Sequence, residues 1–160
     1  MMIRPIEDNE IMLLVDFLYE AIFQKDINKL APRTIIQEPS LWIYIDKFGT
    51  KKDDHCFVAE LDGKIVGAVW VRCIKAFGHI DDTIPEFAIS IYPEYRGKEI
   101  GTALMKKMLE HLQSKGYSQA SLAVQKDNYA VKMYQKAGFE IRDENEQEYI
   151  MICRFNKYEN

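Results

Sequence analysis

The chain alternates between two rhythms. Apolar residues at every second position mark "IRPI" near the start, then "HCFVAEL", "KIVGAVWVRCIK", "EFAISIY", "SQASLAVQ", "FEIRD" and "EYIMICRF", the period of strands with one face in a core. Between them the spacing lengthens to that of helices. Ile11, Leu14, Val15, Leu18 and Ile22 share one face behind a cap at Asp8 or Asn9. Leu41, Tyr44, Ile45 and Phe48 follow a cap at Ser40, although "WIYI" also alternates, and "APRTIIQEP" before them is broken by two prolines. Ile100, Leu104, Met108 and Leu112 run in register to a stop at Gly116, and "NYAVKMYQKAG" is a shorter helix. Asp62-Gly63, between two strong strands, supplies the positive backbone angles of a tight hairpin. "AFGHIDDTIP" has turn formers and no period, so it reads as a loop.

The order strand, two helices, three strands, helix, strand, helix, two strands implies an α/β protein. Its sheet is mixed, antiparallel in its early part, with helices on the faces, and is not a regular doubly wound parallel sheet. At 160 residues, 48% hydrophobic and 29% charged, with neither repeats nor a linker, one domain over 1–160 is expected. A formal net charge of -4 argues against general binding to nucleic acid or an anionic membrane. No apolar run is long enough to span a bilayer, and "MMIRPIEDNE" lacks the apolar core of a signal peptide, so a cytoplasmic protein is expected. Cys56, Cys73 and Cys153 are odd in number and without metal spacing, and they read as reduced, buried thiols. His55, His79 and His111 form no pair with ligand spacing, so no metal is assigned.

Chemistry concentrates at "YRGKEIGT", Tyr95 to Thr102, where a strand passes through a glycine-bearing basic turn into a helix. The first amides of a helix lack intrahelical partners and carry the positive end of its dipole, so such a turn can cradle phosphate. Arg96 and Lys98 add charge, and Gly97 and Gly101 allow close approach. This is neither a Walker A loop nor GxGxxG, since Glu99 follows Gly97-Lys98.

"PEFAISIYPEYRGKEIGTALM" followed by "KDNYAVKMYQKAGFE" resembles the GNAT superfamily of acyl-CoA-dependent N-acetyltransferases. Its pyrophosphate loop reads Arg/Gln-x-x-Gly-x-Gly/Ala, and Asn128, Ala130, Tyr134 and "KAGF" form a companion motif. The resemblance extends over nearly all of the chain. It implies a central mixed, largely antiparallel sheet of about seven strands flanked by about four helices, and acetyl-CoA as cosubstrate. It also implies direct transfer to a primary amine of a small molecule or peptide. The pyrophosphate would lie on Arg96, Gly97, Lys98, Glu99, Ile100, Gly101 and Thr102. The pantetheine arm and thioester would lie along Ile89, Ser90 and Ile91, and Asn128 or Asp127 would sit at the mouth of the last helix. Tyr134 aligns with the tyrosine that protonates the departing thiolate, and Glu86 with a glutamate that takes the amine's proton through water. Asp81 and Asp82 would attract a cationic amine, and the first helices would wall the acceptor site, some of Phe17, Tyr19, Phe23, Trp42 and Tyr44 among that wall. Homodimerisation through the paired final strands is an analogy with such folds.

Glu99 is the departure, standing where the family's middle glycine belongs. A carboxylate about 4 Å from a phosphate charge costs roughly 1 kcal/mol in water-like surroundings and about 4 kcal/mol at an effective dielectric of 20. The alternative reading is therefore a non-catalytic acyl-CoA-binding or partner-binding domain with a weakened pyrophosphate site.

Overall fold

The computed structural model describes residues 1–155. The strands are β1 (Met2–Pro5), β2 (His55–Leu61), β3 (Lys64–Arg72), β4 (Glu86–Ile91), β5 (Gln119–Gln125), β6 (Glu140–Glu144) and β7 (Glu148–Arg154). The helices are α1 (Leu14–Ala21), α2 (Pro39–Trp42), α3 (Ile100–Ser114) and α4 (Ala130–Ala137). All seven strands form one sheet in the order β1-β2-β3-β4-β5-β7-β6. Every pairing is antiparallel except that of β4 with β5. The mixed sheet with four helices is the architecture expected from the sequence.

Alternation along the strands splits the core in two. Val69, Val71 and Phe87 turn to the face covered by α3 and α4, packing with Leu104, Met105, Met108, Leu112 and Phe139. Ala68 and Trp70 turn to the other face, covered by α1 and the segment after α2, with Phe17, Leu18, Tyr44, Ile45 and Phe48. The β2–β3 hairpin turns on Asp62 (φ 52°) and Gly63 (φ 79°), as the Asp-Gly pair requires. Cys56 and Cys153 are buried and Cys73 is half-buried. Among the described residues no helix is long and apolar enough to cross a membrane.

Two helical expectations need correction. The first helix opens as a 3-10 turn, Asp8–Leu13, and its start is set by Glu10 instead of Asp8 or Asn9. The Glu10 carboxylate accepts from the Glu7 N–H at 2.9 Å while Arg4 grips it with two bonds of 2.8 Å. Val15 is exposed, and Phe17 takes the buried place beside Leu14 and Leu18. The second helix shrinks to the single turn of α2, entered through Glu38 and Pro39 with no cap from Ser40.

Polar side chains of β3 explain the early stop. Trp70 Nε1 donates to the Tyr44 carbonyl at 3.0 Å, and Arg72 donates to the carbonyls of Ile43 (3.0 Å) and Asp46 (2.8 Å). Those carbonyls would be helix acceptors if the helix ran on. Arg72 is buried to 1% exposure against Asp54 at 0%, joined by two bonds of 3.0 Å. Asp54 also accepts from the N–H groups of Gly49 and Lys51. One ion pair thus fastens the whole turn segment to the sheet.

Removing one partner of a buried pair strands the other charge in a dry interior, which costs about 3–5 kcal/mol. Asp54→Ala is expected to lose at least about 3 kcal/mol of unfolding free energy, measured by urea denaturation.

Candidate active site

At the start of β5 the sheet forks. β4 and β5 meet at a single rung, Glu86 opposite Ser121, with the Ser121 N–H donating to the Pro85 carbonyl at 2.9 Å. Beyond that rung the two strands diverge. The Tyr92 N–H donates to Val66 on the β3 side, so strand alternation turns the main-chain groups of Ile89 and Ile91 toward the open side. Arg96 Nε takes the Ile91 carbonyl at 2.9 Å. Ile89 keeps a main-chain donor and acceptor aimed into the gap. Ser90 has its main chain on the β3 side, and its hydroxyl donates to the Phe17 carbonyl at 2.6 Å. That bond seats α1 against β4, and Ser90 also lines the larger of two cavities beside the fork.

Gly78 sits in the fork. Its N–H donates to Glu86 Oε2 at 2.8 Å, and its carbonyl accepts from Ser121 Oγ at 2.8 Å. A β-carbon there would fall 2.8 Å from the Leu122 carbonyl carbon and 2.9 Å from the Ala123 nitrogen, so only glycine fits. The loop 76–85 is thereby tied to both strands at their only rung.

Two adjoining cavities flank the fork. One, of about 600 Å³, is lined by the open end of β4, Arg96, Gly97, Glu99, Ile100, Gly101 and Thr102, with Asn128 and Tyr134 at its inner end. The other, of about 360 Å³, shares Ile89, Asn128 and Tyr134 and reaches Leu18, Tyr44, Phe77, Gln125, Gln147 and Glu148.

In the first cavity, α3 presents its amino end. The earliest backbone bond within that helix runs from the Ala103 N–H to the Glu99 carbonyl at 3.2 Å, and no side chain caps the end. The amides of Ile100, Gly101 and Thr102 therefore lack helical partners and face the cavity with the positive dipole end behind them. Gly97 (φ 77°) has open space around it. Glu99 is exposed and adopts the left-handed conformation, φ 63° and ψ 15°. That explains why glycine suits this place: the geometry strains any residue with a β-carbon. Arg96 is only partly available, since Nη2 also leans on Glu20 at 3.4 Å. Lys98 lies over the Tyr95 ring, 5.6 Å from its centroid, and does not line the cavity.

At the junction of the cavities, Asn128 Oδ1 accepts from the Ala130 N–H at 2.9 Å and so opens α4. Asp127 turns away into an ion pair with Lys25 at 2.6 Å, which leaves Asn128 as the residue at the mouth. Tyr134 is buried, and among the described residues its hydroxyl has no hydrogen-bond partner. Burial, then Tyr129, pushes the phenol above its ordinary range and keeps it a proton donor.

The acids divide differently from expectation. Asp81 accepts from the Thr83 N–H (2.7 Å) and hydroxyl (2.6 Å) in a local turn, and Asp82 pairs with His79 at 2.9 Å. Both are exposed and neither lines either of these two cavities; the bonds they make shape the loop. Glu148, at the start of β7, is the carboxylate on the wall of the second cavity. Sequence reasoning missed it because β7 comes next to β5 only through the sheet order. Glu86 is 1% exposed and lies beneath that cavity, bonded to the Tyr44 hydroxyl and Gly78. Burial pushes its carboxyl up, against the downward pull of those bonds.

Residues 19–139 match the model of the Acetyltransferase (GNAT) family. The chain belongs to that family. A GNAT relative from Thermobispora bispora, a mycothiol acetyltransferase, is 36% identical over 85 residues, 52% of this chain and 29% of the relative. An uncharacterized N-acetyltransferase of Methanocaldococcus jannaschii is 33% identical over 95 residues, 58% of this chain and 42% of its own length. Less than half the length of these relatives is thus matched. The GNAT chain aligns with PaiA N-acetyltransferase of Thermoplasma acidophilum in complex with coenzyme A at a TM-score of 0.70 and 20% identity, over 96% of this chain and 98% of that one. A GNAT-family acetyltransferase of Streptococcus pneumoniae aligns at 0.69 and 25% identity, over 96% and 99%.

Gly78→Ala is expected to cost about 1–3 kcal/mol through overpacking against the β5 backbone. Thermal unfolding checks the loss, and hydrogen exchange should show faster opening of residues 76–85.

Proposed function

We propose that this GNAT chain transfers an acetyl group from acetyl-CoA directly to a primary amine of a small molecule or peptide, within a ternary complex and as one domain over 1–160. The observation that carries the reading is the continuity of the two cavities. Together they join the unpartnered amides of α3 to the unpartnered Tyr134 hydroxyl across the fork. A diphosphate suits the first end and a thioester suits the strand edge at Ile89, where a main-chain donor can polarise its carbonyl oxygen. Coenzyme A bound to the Thermoplasma PaiA protein, which shares the fold, supports the same cosubstrate here.

Amide formation from a thioester needs a neutral amine, a polarised carbonyl and a proton for the thiolate. Tyr134 is suited to the last of these. Glu148, with the amides of Gln125 and Gln147 beside it, is suited to hold an ammonium group in the acceptor cavity, and Glu86 is the base reserve beneath. Holding both reactants in one cleft supplies much of the acceleration. A domain that only bound the coenzyme would use the Tyr134 ring for packing against Phe139 but would have no use for its unpartnered hydroxyl.

Thiol release from acetyl-CoA, followed with polyamines, aminoglycosides, amino acids and peptide N-termini, is expected to identify an acceptor. Tyr134→Phe should then lower kcat by about 10²-fold with coenzyme binding retained. A wild-type protein that binds coenzyme yet releases thiol with none of the panel would overturn the catalytic reading.

Glu99→Gly removes both the left-handed strain and a carboxylate at the mouth of the phosphate site. Calorimetry is expected to show coenzyme A bound about fivefold more tightly, the effect of roughly 1 kcal/mol at water-like screening. An unchanged constant would mean that the side chain already points away.

A further inference from the structure

A carboxylate that must take a proton from an amine in the acceptor cavity faces an obstacle here. Glu86 does not line that cavity, and its Oε2 is occupied by the Tyr44 hydroxyl and the Gly78 N–H. Its Oε1 is buried without a hydrogen bond. Tyr44, which donates to Glu86, does line the cavity. We propose that Tyr44 is a catalytic residue that relays the acceptor's ammonium proton to Glu86. The proposal rests on the acetyltransferase reading above.

Three features favour the relay. First, the phenol is held in one place. Trp70 grips its main-chain carbonyl, and the Arg72–Asp54 pair grips the residues on either side. Second, the charges around the pair keep Tyr44 protonated and donating. Burial, Glu86 and Glu148 all raise the phenol, so it passes a proton along without resting as phenolate. Third, burial raises the Glu86 carboxyl above its ordinary value, which favours its taking up a proton. The titratable and charged groups facing Glu86 are few: the neutral phenol of Tyr44 from the segment after α2, His79 from the 76–85 loop, and Arg72, its opposite neighbour in β3, already neutralised by Asp54.

The proton balance closes. An ammonium proton moves to the Tyr44 oxygen as the phenol's own proton passes to Glu86 Oε2, leaving a neutral amine, a neutral phenol and a neutral acid. The nitrogen lone pair attacks the thioester carbon and the carbon–sulfur bond breaks. Tyr134 gives its proton to the thiolate and is reprotonated from the nitrogen of the new amide. Glu86 then returns its proton through Tyr44 to water. Ammonium and acetyl thioester become amide, thiol and one released proton.

The test measures kcat/KM against pH for wild type, Tyr44→Phe, Glu86→Gln and the double variant, using the panel amine with the fastest turnover. Tyr44→Phe keeps the ring and removes only the hydroxyl. Its expected deficit is about 10²-fold at pH 7, closing by about tenfold per pH unit as the solution itself deprotonates the amine. Glu86→Gln should show the same closing deficit, and the double variant should be no worse than either single one. A deficit that is constant with pH, or none at all, overturns the relay while wild-type turnover keeps the acetyltransferase reading intact. A wild type that acetylates no amine overturns both. Should Tyr44→Phe fail to fold, the wild-type proton inventory in mixed H2O and D2O decides. A bowed curve, from two protons in motion, supports the relay, and a straight line overturns it.

Discussion

The divergence of two parallel strands after one rung is the constraint on which the rest of this molecule depends. A sheet interior normally leaves no main-chain group unpaired, because an unmet buried donor or acceptor costs about as much as a lost hydrogen bond. Here β4 and β5 pair only at Glu86 and Ser121, and Gly78 is wedged at that point with a bond to each strand. Past the wedge, the main chain of Ile89 and the carbonyl of Ile91 are left for other partners. Arg96 meets one of them. The remainder gives an extended molecule a strand edge in the middle of a sheet, protected from the strand-to-strand association that an outer edge invites.

Fixing such a gap requires the surrounding faces to be stiff, and polar groups inside the core supply that stiffness. The buried Arg72–Asp54 pair contributes little net stability compared with apolar packing, since desolvation offsets most of its attraction. Its effect is directional. Four N–H bonds from one planar guanidinium reach two carbonyls and one carboxylate, and so hold residues 43–54 in one arrangement over the sheet. The wall of the second cavity, Tyr44 included, is thereby set by β3 instead of by helical propensity.

That dependence marks what the sequence could and could not disclose. Period-two strands, the Asp62-Gly63 hairpin and the helix from Ile100 were legible because their causes are local. The unpartnered helix end beside β4 was legible too, as glycines and a strand-to-helix switch occur within eight residues. The helix expected at residues 41–48 failed because Trp70 and Arg72, some thirty residues away, compete for its carbonyls. Asp81 and Asp82 looked available for an amine, yet Thr83 and His79 absorb them locally. Glu148 and the Tyr44–Glu86 contact carried no signal, since each arises only when β7 lies beside β5 or the turn after α2 settles on β4. The left-handed backbone at Glu99 was hidden for a different reason: a residue's identity shows which conformations cost energy, and only the surrounding loop shows which one is imposed.

Two carboxylates in contrasting surroundings then acquire different chemistry. Glu148 stands on a cavity wall, where a carboxylate attracts an ammonium ion but, by pairing with it, also favours the protonated and unreactive form. Glu86 is sealed beneath the same cavity, too deep to form such a pair and connected to it through one hydroxyl. Attraction and deprotonation oppose each other when one group must do both. Separating them by a layer of protein lets the first be strong without preventing the second, provided that a proton can cross the layer. In the relay proposed above, that proton crosses on the Tyr44 hydroxyl, which touches both the cavity and Glu86.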